Sequence, residues 1–299
     1  MGIERDRRRF FTLRRTLSLV RACRWEQVDP AAFYTPLAAD SVALVSRYAV
    51  LAGRRVLDVG GGPGFFARAF EDAGARYVSV DTRRVGVVCG DALALPVRDH
   101  AVDVCFSSNV LEHVPDPRRM LHEMVRVTRP GGLVFLCYTN WLGPLGGHET
   151  SPWHYLGGDR AARIYERRHG AAPANRYGTS LFALSVARVL RWVREAERGG
   201  SAEKLAVFPR YHPAWAHPIV RVPGLREFLT ANCAIALRVR SQSNNEAQAT
   251  QASRTSAARA GSAESSFSAP DTVSARVAPG STSQPVTPWR IASRSPSTS

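Results

Sequence analysis

Apolar residues in this chain fall into short unbroken runs that alternate with amphipathic stretches. Arg55–Val59, Tyr77–Asp81, Val85–Cys89, Val102–Ser107 and Leu133–Tyr138 read as five strands, each short enough to be buried on both faces of a parallel sheet. Leu205–Pro209 reads as a sixth strand and Cys233–Val239 as a last, antiparallel one. Between them lie helical patterns. Phe65–Phe70 can open a helix, and Pro117 suits the start of one whose apolar face is Met120, Leu121, Met124, Val125 and Val127. Helices are also predicted over Ala38–Leu51, Thr179–Glu195 (with Phe182, Val186, Val189 and Val193 on one face) and Pro223–Thr230. Strands alternating with helices predict an α/β chain built on a doubly wound, mostly parallel seven-stranded sheet with an antiparallel last strand.

The first strand ends in Asp58 and runs into Gly60-Gly61-Gly62-Pro63-Gly64. Open α/β sheets place a nucleotide at such a strand–glycine turn–helix junction. Glycine is needed there because ligand atoms approach the backbone closely and turn residues take positive φ. Two cofactor readings fit. Gly62, Gly64 and Ala67 satisfy the Gly-x-Gly-x-x-Gly/Ala pattern for a dinucleotide, whose pyrophosphate seeks bare amides at a helix N-terminus. Asp58, Gly60, Gly62 and Gly64 satisfy Asp/Glu-x-Gly-x-Gly-x-Gly, the loop of S-adenosylmethionine enzymes. That cofactor carries an ammonium end, which a carboxylate beside the loop can bind.

Asp81, ending the second strand, can accept both hydroxyls of a ribose, a device shared by both cofactor classes. Asp91 can accept from an adenine amino group while the Ala92 amide donates to the ring; alone, Asp91 is as readily a turn residue. Ser108–Val114 forms a loop over the cofactor.

Together, Asp58-Val59-Gly60-Gly61-Gly62-Pro63-Gly64, Gly90-Asp91-Ala92 with Leu95-Pro96, Asn109-Val110-Leu111-Glu112-His113-Val114 and Arg129-Pro130-Gly131-Gly132 resemble the motifs of class I S-adenosylmethionine-dependent methyltransferases, in their small-molecule branch. The motifs follow the family's order over residues 55–140. Trp141–Glu149 and Phe208–Pro213 extend the likeness to an actinobacterial subgroup over about residues 8–240. The resemblance implies a Rossmann-like fold, S-adenosylmethionine as cofactor, and Asp58, Gly60, Gly61, Gly62, Gly64, Asp81, Asp91, Ala92 and Asn109 as its binding residues. One departure stands out. Only Thr82–Val85 joins Asp81 to the third strand, where the family fits a full helix, so the adenosine side of the pocket is expected to be more open.

Methyl transfer needs in-line positioning and exclusion of water, and a base only if the acceptor carries a proton. His148, His154, Tyr155 and His212 are the candidates, each also readable as a structural partner. Glu149 could orient a histidine or bind an amine; Trp141, Trp153 and Trp215 suit an apolar acceptor or core packing alike. Residues 139–178 read as a long irregular loop where a substrate pocket forms.

The 299 residues carry a formal charge of +15, which raises nucleic acid or an anionic membrane as partners. Nearly all the basic residues are arginine, with Lys204 the sole lysine, and no basic run interleaves with aromatics, so nucleic-acid binding is not expected. The five cysteines form no Cys-x-x-Cys pair and read as buried reduced thiols; no metal-ligand spacing is visible. No secretory apolar segment follows the basic N-terminus and no run nears about 18 apolar residues, which points to the cytoplasm.

Three parts are expected: a basic arm and helical lid at 1–50, a catalytic domain at 51–240, and a Ser/Ala/Pro-rich tail at 241–299 too poor in large apolar groups to fold. In the arm, Phe10, Leu13, Leu17 and Val20 recur at helical spacing among arginines. This helix either lies on an anionic bilayer or packs its apolar stripe on the domain; packing is the expectation. Phe33 and Tyr34 are lid candidates. The function expected is methyl transfer to a small, apolar or lipid-like molecule. The alternatives are a silent S-adenosylmethionine-binding scaffold and an NAD(P)-dependent oxidoreductase, the latter lacking a Tyr-x-x-x-Lys pair.

Overall fold

The computed structural model describes residues 10–25, 28–83 and 88–241; the 241–299 tail, beyond Ser241, lies outside the described residues. Seven strands form one sheet: β1 Arg55–Val59, β2 Arg76–Asp81, β3 Val88–Cys89, β4 Val102–Ser108, β5 Thr128–Thr139, β6 Ala202–Pro209 and β7 Asn232–Val239. Their order is β3-β2-β1-β4-β5-β7-β6. The first five in that order run parallel, and β7 is antiparallel to both β5 and β6. The chain thus turns outward in opposite directions from β1 and β4, the crevice where open sheets bind ligands.

Among the described residues, seven α-helices accompany the sheet: α1 Leu13–Ala22, α2 Pro30–Val45, α3 Ala67–Asp72, α4 Pro117–Val127, α5 Gly158–His169, α6 Val186–Arg198 and α7 Leu225–Leu229. Side-chain caps mark four starts: Thr12, Asp29, Asp116 and Ser185 each accept from the backbone amide three residues on. The Ser185 cap moves the start of α6 past the predicted Thr179, and leaves Phe182 outside the helix. Residues 139–178 are not one irregular loop, since they contain α5. That helix buries only Gly158, Ala161 and Ala162 and has no large apolar stripe to announce it.

The sheet is covered on both faces. Met120, Leu121 and Met124 of α4 and Val189 and Val193 of α6 pack on Leu57, Val59, Cys105 and Ile235. Phe33 and Leu37 of α2 and Phe70 of α3 pack on Val104, Phe106 and Phe135. Cys105, Cys137 and Cys233 are buried as expected, and burial pushes the Cys137 thiol up to about 11; Cys89 is exposed.

The N-terminal helix corrects an expectation. Of its predicted stripe, Phe10 packs against the core, but Leu13, Leu17 and Val20 are 56%, 45% and 47% exposed, while Phe11 and Leu19 are buried. Arg15 sets that orientation. Its guanidinium grips the Asp40 carboxylate of α2 through two bonds, at 2.6 and 2.8 Å, and donates to the Arg210 carbonyl at 2.9 Å. This bidentate pair, mostly out of water, fixes the face of the helix that meets α2, the face that also buries Phe11 and Leu19.

Among the described residues, no helix is long and apolar enough to cross a membrane.

Candidate active site

The glycine turn folds as a cradle above β1. Gly60, Gly62 and Gly64 take φ of +78°, +52° and +85°. The Gly60 amide donates to the Val80 carbonyl at 2.7 Å and Gly64 to the Gly61 carbonyl at 3.1 Å. A side chain at Gly61 would meet Ser79, Asp58 Oδ2 and Tyr77 Oη, so the loop lies tight against the carboxylate below it. Gly62 has open space where a Cβ would stand. Gly62→Ala is therefore expected to keep the fold at a cost of about 1–2 kcal/mol for its left-handed backbone, while its methyl intrudes into the cradle. Thermal unfolding and ligand titration of the same variant separate the two effects.

Two carboxylates flank the cradle. Asp58 is 1% exposed, and its Oδ2 accepts from Tyr77 Oη at 2.6 Å. Burial pushes its carboxyl up to about 7; the Tyr77 bond opposes this and the Asp81 charge adds to it. Tyr77, an aromatic in β2 that the strand pattern did not mark as functional, is itself pushed well up by burial and by Asp58, so it stays a donor. Asp81 Oδ2 accepts from the Gly62 amide at 3.0 Å and Oδ1 from Arg83 N at 2.9 Å. Asp81 thus ties the tip of the loop to the end of β2. The connection to β3 spans residues 82–87, of which 84–87 lie outside the described residues. Asp91 is exposed and forms an Asx turn onto Leu93 N at 2.8 Å, beside a mostly buried Ala92. Tyr34 stacks on Phe65, ring centroids 5.0 Å apart, directly after the glycine turn; Phe33 is buried behind it.

Asn109 follows β4 with φ +58°, its Oδ1 accepting from Asn232 Nδ2 at 2.8 Å. Val110 sits against Gly60, where it would collide with any side chain. The next turn, Leu111–His113, brings Glu112 and His113 beside the cradle at the carboxyl ends of β4 and β5. Glu112 Oε1 accepts from Thr139 N at 2.9 Å, and Phe182 N donates to the Glu112 carbonyl at 2.8 Å. His113 Nδ1 bonds the Ser180 carbonyl at 2.6 Å.

Of the four candidate bases, the fold brings His148 to this place. Its ring lies 5.1 Å from that of His113, and one ligating atom each from Glu112, His113 and His148 lie within 4.8 Å of one another. Its backbone is left-handed, φ +48°. Burial holds His148 below the usual histidine range, with the Glu112 charge opposing and His113 adding to the shift. His154 is buried one turn further on, edge-on to Trp141 at 5.5 Å, and burial lowers it too. Tyr155 is exposed. His212 belongs to the loop after β6, where burial also lowers it. Glu149 holds Asn175 rather than a histidine: its two oxygens accept from the Asn175 amide and side chain, at 2.6 and 2.9 Å. Trp153 lies under Arg168 at 4.5 Å, and Trp215 is exposed. The spacing of histidines and acids did not reveal the Glu112–His113–His148 grouping, because its third member arrives from beyond β5.

Residues 57–136 match the family described as "Methyltransferase domain". The chain is 50% identical over 252 residues to an "uncharacterized methyltransferase" of Mycobacteroides abscessus, covering 77% of this chain and 95% of the relative. It is 52% identical over 247 residues to one of Mycolicibacterium gilvum, covering 76% and 95%. Among solved structures, an S-adenosylmethionine-dependent methyltransferase of Mesorhizobium loti aligns with a TM-score of 0.45 at 17% identity, over 67% of this chain and 97% of that one. The cradle, its two acids and the room at Gly62 fit an S-adenosyl cofactor. With half of the aligned residues identical to relatives that it covers over nearly their whole length, the chain belongs to the class I S-adenosylmethionine-dependent methyltransferases.

Proposed function

We propose that residues 51–240 transfer the methyl group of S-adenosylmethionine to a small, largely apolar molecule that bears a hydroxyl. The cofactor supplies an electrophilic methyl carbon on a sulfonium. Asp58 and Asp81 hold its polar ends across the glycine turn, with Asp91, Ala92 and Asn109 around the rest. The observation that carries the acceptor class is the Glu112–His113–His148 group, a buried carboxylate and two half-buried rings, on and beside the turn that follows Val110. An acceptor that loses a proton needs polar groups there; an amine that is already neutral does not. Trp141 and Tyr177, with centroids 4.9 Å apart, supply apolar surface beyond it.

The test has two stages. Saturating S-adenosylmethionine at about 100 times its dissociation constant adds roughly 2.7 kcal/mol to stability, a rise of several degrees in Tm. Methyl-labelled cofactor is then incubated with metabolite and lipid extracts. Label in an extractable small product supports the reading. Label recovered only in protein or nucleic acid overturns it, and cofactor binding with no turnover moves the silent scaffold into first place.

A second proposal concerns location. Leu13, Leu17 and Val20 point outward beside Arg14 and Arg21, and Trp215, 78% exposed, lines the same groove as Leu13. An outward apolar stripe with flanking arginines and an exposed tryptophan suits an anionic membrane surface. Sedimentation with phosphatidylglycerol vesicles is expected to carry down the full-length protein. Leu13→Glu with Leu17→Glu is expected to leave it in the supernatant; equal sedimentation of both proteins rules out this surface.

A further inference from the structure

Glu112 presents a problem that its hydrogen bonds do not solve. It is 1% exposed, and Oε1 is occupied by Thr139 N, yet Oε2 is sealed from water with no partner. Among the described residues no arginine or lysine pairs with it. A buried carboxylate oxygen without a partner costs several kcal/mol, so such groups are paired or ligate a cation. The atoms facing it are donors of the right kind. His148 Nε2 is also buried and unpartnered. His113 has Nδ1 engaged by the Ser180 carbonyl, which leaves Nε2 with its lone pair outward, the arrangement that orients metal-bound histidines. The backbone, too, is bent to the purpose: His148 is one of three non-glycine residues with positive φ among the described residues, and such strain, of order 1–3 kcal/mol, collects at functional sites.

We propose that Glu112, His113 and His148 bind a first-row divalent metal ion whose open position takes the hydroxyl oxygen of the acceptor. Two imidazoles and one carboxylate form a three-ligand set that leaves room for an exogenous oxygen, and their nitrogen donors favour zinc, manganese or iron over magnesium and calcium. Donors around one such ion stand about 3–3.5 Å apart. The observed spread is within 4.8 Å, so the three donors would have to draw together as the ion binds. The ion would lower the acceptor hydroxyl's pKa as it does that of bound water. The hydroxyl proton leaves to solvent water. The oxygen then takes the methyl group, its O–C bond forming as the S–C bond of the cofactor breaks with the pair left on sulfur.

The inference rests on the methyltransferase reading of this cleft, but its test does not need an acceptor. Full-length protein is stripped with a chelator, dialysed against Zn²⁺ or Mn²⁺, and assayed by elemental analysis and calorimetry with and without S-adenosylmethionine. One ion per chain is expected. Glu112→Gln, which keeps the bond from Thr139, and His148→Ala are each expected to weaken binding roughly 100-fold or more while cofactor affinity stays as in the parent. Cofactor binding with no ion bound in the parent, or an ion retained in both variants, overturns the metal site and leaves the trio a proton relay. Loss of cofactor binding in the parent instead overturns the reading of the cleft.

Discussion

Asp58→Asn is expected to raise the stability of the ligand-free protein at pH 8 and to remove most of its affinity for S-adenosylmethionine. The native carboxyl titrates near 7, against 3.8 for an ordinary aspartate, because burial disfavours its charge. The sign follows from proton binding. Below about pH 4 the group is protonated in both folded and unfolded chains and costs nothing. Between 4 and 7 the unfolded chain ionises first, so stability falls as pH rises, and above 7 the full penalty, about 4 kcal/mol, is present. Asparagine removes that penalty, and its amide oxygen still accepts from Tyr77. Thermal unfolding is expected to show a variant stabilised by about 1–2 kcal/mol at pH 5 and by the full amount at pH 8. The cofactor's ammonium end favours the ionised form, so affinity of the parent is expected to rise up to pH 7 and level off above it. Loss of a charge-assisted bond of about 2–3 kcal/mol lowers affinity roughly 30- to 150-fold. A variant that binds as tightly as the parent at pH 8 shows that Asp58 only supports the loop.

Arg210→Ala is expected to destabilise the protein by about 3–5 kcal/mol, the cost of breaking a buried ion pair from one side. Arg210 is 0% exposed. Its guanidinium donates to Ser108 Oγ at 2.9 Å, Ser41 Oγ at 2.6 Å and the Leu37 carbonyl at 3.3 Å, and Nε lies 3.6 Å from Asp40. One side chain thereby ties α2 to the end of β4, next to Asn109. Alanine leaves a cavity, two hydroxyls short of a donor, and Asp40 with Arg15 alone. Lysine does not rescue, since one ammonium cannot span acceptors that a planar fork reaches together. Denaturant unfolding measures the loss, and a change under about 1 kcal/mol would show that water replaces the guanidinium.

Strands and cofactor loop were legible because both are local. A parallel strand buried on two faces is a continuous apolar run, as Val104–Phe106 and Leu133–Tyr138 are, and a cradle needs glycine at the positions that take positive φ. The Asp58, Gly60, Gly62 and Gly64 spacing therefore carried its meaning in one stretch of chain. Helix α5 was not legible, because it docks through Ala161 and Ala162 and shows no apolar stripe. Tyr77 read only as a strand residue, since the acid it serves belongs to another strand. Glu149 reads as a partner for a histidine, but its oxygens accept from Asn175, 26 residues on.

Sequence by itself determined the α/β class, the site of the glycine cradle and the acids beside it, because strand burial, turn conformation and ligand approach are properties of neighbouring residues. Tertiary structure alone decided which face of α1 meets the domain and which histidine meets Glu112. Both depend on pairings between distant segments: Arg15 with Asp40 and the Arg210 carbonyl, and His148 with the turn after β4. Hydrophobic periodicity records how much apolar surface a helix has, but it holds no record of a charge pair that forms only when the chain closes on itself.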